Sequence, residues 1–226
     1  MGRGINKHRR ITRLMYAEGI GLKTPAPVEV QLSDGILCLL AEKARMIVRE
    51  KQVYRNPNSN WRKAKVAEGV IPGGGGLLSS DEMAFMIGLT GEAAFKTYCG
   101  SRVTEIDLSL RRYGDNGYDF MCSCCGGWKI QVKSAQQPSQ SLYFKATDDG
   151  GVIITPKWNI IVFAAYNRTI HPHLLGWQKL RFFDDKPLRR ALVANGEWKN
   201  KYVDLDELRT MPALIDELIF MRERLN

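Results

Sequence analysis

The sequence predicts a mixed α/β fold, and three observations carry that expectation. Apolar residues recur at helical spacing early in the chain, with Ile36, Leu40, Ala44 and Ile47 forming one stripe. From residue 103 to residue 183 the period changes to that of strands, with glycine-bearing turns between them. A helical tail then closes the chain, with Leu214, Ile215, Leu218 and Ile219 as its apolar face. The order is helices, a hairpin-rich sheet and a closing helix, without internal repeats.

Each element has a local reason. Residues 1–32 read as irregular and basic, with "KTPAPVEV" extended by its prolines. Ser33 caps a helix over 34–54, which leaves Arg45, Arg49 and Lys51 outside or at its edge. Residues 55–76 read as a loop ending in four glycines. No G-K-[ST] follows them, so a hinge is favoured over a phosphate-binding nest. Ser79-x-x-Glu82 is a capping box that starts a second helix near residue 80. Gly88 and Gly91 are candidate breaks in it, with Thr90 as a second cap, and its pattern ends at Cys99-Gly100. "VTEIDLSL" alternates as a strand, and Asn116-Gly117 signals a tight turn. "YDFMCSC" and "WKIQVKSA" read as strands around Gly126-Gly127. "NIIVFAAY" suits a strand buried on both faces, and "HLLGWQKLRFF" is a further strand. The helical tail is expected from Asp204 or Asp206, interrupted at Pro212.

Composition narrows the class. The 226 residues are 44% hydrophobic, enough for one well-buried core. No apolar run approaches the ~20 residues of a membrane span. The basic N-terminus lacks the apolar stretch of a secretory signal, and Asn6 stands where an N-myristoylation signal wants Ser or Thr. Five cysteines, three of them clustered as Cys122, Cys124 and Cys125, suggest a reducing compartment instead of a disulfide scaffold.

The net charge of +9 is unevenly spread. Residues 1–76 hold 14 Lys and Arg against 6 Asp and Glu, whereas residues 77–226 hold 19 against 18. This divides the chain into a basic N-terminal region, 1–76, and a nearly neutral core, 77–226. Such a region either stays solvated or neutralises a polyanion. On the second reading Arg9, Arg10 and Arg13 hold DNA phosphates, and Trp61 stacks beside Arg62, Lys63 and Lys65.

The chemistry concentrates in one hairpin. In "WKIQVKSA", Trp128, Ile130 and Val132 share one face, and Lys129, Gln131 and Lys133 share the other. Burying such polar side chains without partners would cost ~1–3 kcal/mol each. Asp119, at the start of the preceding strand, can reach the same side. An Asp carboxylate, a Gln amide oxygen, a backbone carbonyl and waters suit a hard divalent cation. Such a cation polarises a phosphate and activates a water, while a neighbouring lysine orients that water and offsets phosphate charge. Glu92 in "GEAAF" can supply a further carboxylate from the packed helix.

The order of Glu92, Asp119, Gln131 and Lys133 resembles that of the PD-(D/E)xK nuclease superfamily. "LTGEAAFKTYCG" is similar to the "GxxGExAFxxyLG" helix of its phage and prokaryotic members. "LLGWQKL" resembles their "vvGWi" strand, and "YVDLDELRTMPALIDEL" their "yxVpxxeLrpMxdL" tail. The likeness covers roughly residues 36–220. It implies a restriction-endonuclease-like core, a central mixed sheet flanked by helices, behind the basic extension. It also implies a Mg2+-dependent DNA endonuclease, with Mn2+ as a substitute, in which Glu92, Asp119 and Gln131 hold the metal and Lys133 completes catalysis. A cytoplasmic location and a homodimer are compatible with it. Gln131 stands where an acid is usual, so a catalytically inactive nucleic-acid-binding relative is the alternative.

Rival sites are weaker. Cys122, Cys124 and Cys125 with Cys99 would make a zinc site, but packing as small hydrophobes is favoured. His171-Pro-His173 reads as a turn. Tyr113, Tyr118 and Trp128 are candidate stacking residues, with Trp128 favoured as sheet packing. Gln136 and Gln137 are placed to reach DNA just beyond Lys133.

Overall fold

The computed structural model describes residues 26–54, 78–102, 108–110, 117–136, 141–147, 152–166, 171–190 and 199–225. Strand β1 (Val28–Glu29) precedes helix α1 (Asp34–Tyr54), and helix α2 (Ser80–Arg102) follows. Strands β2 (Leu108–Leu110), β3 (Phe120–Cys122), β4 (Trp128–Ala135), β5 (Ser141–Lys145), β6 (Ile160–Ala165) and β7 (His173–Lys179) come next. Strands β8 (Arg189–Arg190) and β9 (Lys199–Asp204) precede the closing helix α3 (Met211–Glu223).

The fold is mixed α/β. Six strands form one sheet in the order β1-β7-β6-β4-β3-β2. Only β4 and β6 run parallel in it, with Gln131 opposite Ile161 and Lys133 opposite Phe163. Strand alternation sorts the side chains into two cores. Phe120, Ile130, Val132, Ile160, Val162 and Leu174 face α1, α2 and α3. Ile161, Phe163, Ala165 and Leu175 face a second, antiparallel sheet of order β5-β9-β8, through Leu142, Phe144 and Val203. Helices thus cover one face of the main sheet and a small sheet covers the other.

Several sequence expectations hold. Ser33 Oγ accepts the Ile36 N–H at 3.3 Å and caps α1. The capping box at α2 is formed, with Ser79 N–H donating to Glu82 at 2.8 Å and Glu82 N–H to Ser79 Oγ at 3.3 Å. Strand β6 is buried along its whole length.

Others are corrected. The α1 stripe is rotated from the expected one: Leu37, Ala41, Ala44, Ile47 and Val48 are buried, while Ile36 is exposed. Helix α2 runs unbroken through Gly88 and Gly91 to Arg102. Thr90 is not a cap within it; its hydroxyl donates back to the Met86 carbonyl at 2.7 Å. Gly91 is kept by packing: a Cβ there would lie 1.9 Å from Ser134 Oγ and 3.2 Å from Ala164 Cβ, so its absence lets α2 press onto β4 and β6. "HLLGWQKLRFF" is strand only to Lys179, after which Leu180–Phe183 forms a short 3-10 turn. Pro212 does not interrupt the tail but sits in the first turn of α3, capped by Thr210. The residues expected to begin that helix, Asp204 and Asp206, instead end β9 and enter a 3-10 turn.

The α2 contact is testable by urea unfolding. Gly91→Ala should lower stability by about 1–3 kcal/mol through overpacking against β4. Gly88→Ala meets nothing within 4 Å, and should raise stability by up to about 1 kcal/mol through helix propensity alone. Equal effects of the two substitutions would contradict the packing role of Gly91.

Candidate functional site at the β3–β4 fork

Strand β3 pairs with β4 only as far as Phe120 opposite Ile130, while β4 continues to Ala135 along β6. Beyond that point the β3 side of β4 has lost its ladder partner, and Val132 is the first residue whose backbone groups face the gap. Side chains fill the vacancy. Asp119 Oδ2 accepts the Val132 N–H at 2.6 Å. Gln131 Nε2 donates to the Val132 carbonyl at 3.2 Å, and also donates to Asp119 Oδ2 in a short contact. Asp119 is itself anchored, its N–H donating to the Ile130 carbonyl at 2.9 Å. A polar strand face that the sequence left puzzling is therefore satisfied at the place where the two strands part.

The remaining predicted residues, Glu92 and Lys133, lie within electrostatic reach of Asp119. Lys133 is exposed on the Gln131 face of β4, and its charge favours the ionised form of Asp119 and of Glu92. Glu92 follows Gly91, the residue at which α2 presses onto β4 and β6. Burial is the largest influence on Asp119 and holds its carboxyl above the usual range, against the Val132 N–H and Lys133, which lower it. Burial also pushes Glu92 up, to about 7, with the charge of Asp119 as the second cause. Lys43 and Lys133 pull it back. Lys43, on α1, is a group that the sequence reading missed. Nothing in the sequence singled it out: it is exposed and neighbours the buried Ala44, and adjacent helix residues point in different directions.

The fork thus holds two carboxylates, one amide and one strand carbonyl, all oxygen-bearing, beside lysines. Two partly buried like charges at one place are costly unless a cation or a proton offsets them. The orientation of Gln131 departs from expectation. Its amide nitrogen, and not its oxygen, faces Asp119, because Asp119 and the Val132 carbonyl are both acceptors.

Other candidate residues fare differently. Arg9, Arg10, Arg13, Trp61, Arg62, Lys63, Lys65, Tyr113 and Gln137 lie outside the described residues, and Gln136 is exposed at the end of β4. Tyr118 is buried in the second core. Trp128 packs against the helix-side core and lines an open groove with Lys179, Arg181 and Arg224. His173 lies on β7, 3.6 Å from Glu29.

The cysteine expectation is corrected. The 3-10 turn Ser123–Cys125 folds three sulfurs together, and Cys122 and Cys125 are joined as a disulfide. Cys124 Sγ lies 3.5 Å from Cys122 Sγ and 3.8 Å from Cys125 Sγ. Among the described residues these are the one group of three Cys, His, Asp or Glu side chains close enough to share an ion, which requires the disulfide to be reduced. The signal was the spacing of Cys122 and Cys125, which spans a single turn. Cys99 is not in the group; burial pushes its thiol up to about 12.

Among the described residues no helix is long and apolar enough to cross a membrane. Comparison with family models, with curated proteins and with solved structures returned no match.

The raised Glu92 carboxyl sets a pH dependence. Its folded value, about 7, exceeds the ordinary glutamate value of 4.5. The folded state therefore binds the proton more tightly, and stability falls as pH rises from about 4.5 to about 7. With EDTA present, Glu92→Gln should remove this decline and be more stable than the parent above pH 7 by roughly 1–3 kcal/mol. The two should converge near pH 4.5. A parallel pair of stability–pH curves would show that Glu92 is not desolvated at the fork.

Proposed function

We propose that the chain is a metal-dependent deoxyribonuclease, most simply an endonuclease, built on a restriction-endonuclease-like core of the PD-(D/E)xK kind. The observation that carries the reading is the hydrogen-bonded Asp119–Gln131 pair at the fork where β3 leaves β4, with the charges of Glu92 and Lys133 within electrostatic reach of it. These are the four residues on which the sequence resemblance rests. The other motifs of the resemblance also meet. Gly176 bulges β7, at a φ of +148°, where a Cβ would lie 2.7 Å from the Arg209 carbonyl. Trp177 and Arg209 exchange backbone hydrogen bonds of 3.1 and 3.0 Å, and Trp177 Nε1 donates to the Thr210 carbonyl at 2.9 Å. The "GWQ" and "LRTM" segments thus lock to each other.

The donor set fits a hard divalent cation, Mg2+ or Mn2+. Asp119 and Glu92 offer carboxylates, the Val132 carbonyl faces the fork, and a half-turn of the Gln131 amide presents its oxygen. Such a cation, when bound, polarises a phosphodiester and makes a coordinated water more acidic. The chain's own contribution is positional. Asp119 is held by the backbone at both ends of the fork, so its carboxylate is preorganised. Lys133 stays exposed, where it orients the attacking water and offsets charge that develops on the phosphate oxygens. Glu92 provides a half-buried carboxylate whose charge is favoured once a cation is near. Lys43, whose charge reaches Glu92 from α1, would hold a backbone phosphate of the DNA. The basic region 1–76 would add sequence-independent attraction to the duplex.

One observation favours the alternative, a nucleic-acid-binding protein without activity. Gln131 turns its nitrogen to Asp119, which makes the pair a satisfactory end to the strand ladder without any ion. Cleavage of supercoiled plasmid in Mg2+ or Mn2+, against EDTA, separates the two. Lys133→Ala should reduce the cleavage rate by at least about a hundredfold while DNA affinity changes little. Gln131→Glu should retain cleavage and lower the Mg2+ concentration needed for half-maximal rate, because it adds a charged ligand. Cleavage by Lys133→Ala at the parent rate would remove the assignment of the fork as the catalytic centre.

A further inference from the structure

The small sheet β5-β9-β8 presents a second surface whose chemistry the fork does not use. Its strands alternate, so the inward Leu142, Phe144 and Val203 leave every second residue facing away from the core. The register sets Tyr143 directly opposite Tyr202. Their rings are 5.4 Å apart between centroids and tilted by 43°. Tyr143 is 55% exposed, the most exposed aromatic side chain among the described residues.

The surroundings of the pair are polar and basic. Lys145 and Arg189 flank Asn200 from either side in register. The Arg189 guanidinium lies 5.7 Å from the Tyr202 ring centroid. Asn200 is buried, and its Nδ2 lies 3.5 Å from the Tyr202 hydroxyl. Arg190 is also exposed but pairs with Lys199, so it belongs to the other face of the sheet. The one acidic residue of the three strands, Asp204, is turned into the capping box with Glu207. The near-neutral balance of residues 77–226 therefore conceals a locally basic face.

We propose that this face binds single-stranded DNA, with Tyr143 and Tyr202 as a stacking platform for successive bases and Lys145 and Arg189 as partners of the phosphates. Aromatic rings on an exposed sheet take unpaired bases because every base offers a π face, whereas a duplex keeps those faces stacked inside. Charge complementarity selects a polyanion over an apolar partner. A cross-strand tyrosine pair can also serve only to hold two strands together. That role, however, does not call for basic side chains on both flanks or for a buried Asn200 directed at the Tyr202 hydroxyl. The platform lies on the same side of the main sheet as Lys133, and β5 follows β4 across residues 136–140. It stands whether or not the fork cleaves.

The test is binding of the full chain, in EDTA so that no cleavage occurs, to fluorescein-labelled oligo-dT of about 15 nucleotides, followed by anisotropy. A hairpin duplex and oligo-rU of the same length are the comparison arms. Tyr143→Ala and Tyr143→Leu should each weaken oligo-dT binding by about tenfold, whereas Tyr143→Phe should stay within about twofold. The leucine variant keeps apolar bulk in the strand, so its loss cannot come from an unfolded sheet. Arg189→Ala should reduce the slope of log affinity against log salt by about 0.7. Duplex affinity should not change in the tyrosine variants. Parent-like oligo-dT binding by Tyr143→Leu would overturn the proposal, as would an equal loss on the duplex. Tighter binding of oligo-rU than of oligo-dT would overturn the assignment to DNA.

Discussion

The organisation of the candidate site turns on two backbone groups, the N–H and C=O of Val132. Strand β4 must continue past the end of β3 to build its ladder with β6. That continuation leaves Val132 facing a side where no strand remains. Buried backbone groups left without partners cost about as much as a lost hydrogen bond each. Asp119 and Gln131 satisfy them, and in doing so place a carboxylate and an amide side by side at a notch in the sheet. The feature that completes the ladder is the same one that brings oxygen-bearing groups together.

Helix packing adds the rest. Ala41 and Ala44 let α1 lie close to α2, and Gly91 lets α2 lie close to the sheet. Glu92 adjoins the second of these contacts, and it is disfavoured as a charge by burial and by Asp119. A carboxylate held at such a cost is more readily understood as a functional group than as a stabilising one. Lys43 on α1 and Lys133 on β4 both favour the charged form of Glu92.

Much of this was legible in the sequence because it is local. Alternation in "WKIQVKSA" assigned its two faces correctly, and the Ser79–Glu82 box marked the start of α2. The buried run of β6 was equally plain. What escaped depends on contacts between distant segments. The sequence marks Gly91 as a helix breaker, and only Ser134 and Ala164 make it a packing residue. Pro212 reads as an interruption until Thr210 is seen as the cap. The small sheet was missed because β5 follows β4 at once, and because its partner β9 lies more than fifty residues on. The orientation of Gln131 was not legible at all, since it is decided by two acceptors that only the folded chain brings together.

The central claim is that the fork is a divalent-cation site centred on Asp119. Calorimetric titration of Mg2+ or Mn2+ into the full chain, beside Asp119→Asn, tests it most directly. Asn at this position keeps the shape and a hydrogen-bond acceptor for the Val132 N–H but removes the charge. The account predicts saturable binding by the parent and its loss in Asp119→Asn, with both proteins folded. Equal heats of binding in the two proteins, or none in either, would contradict it.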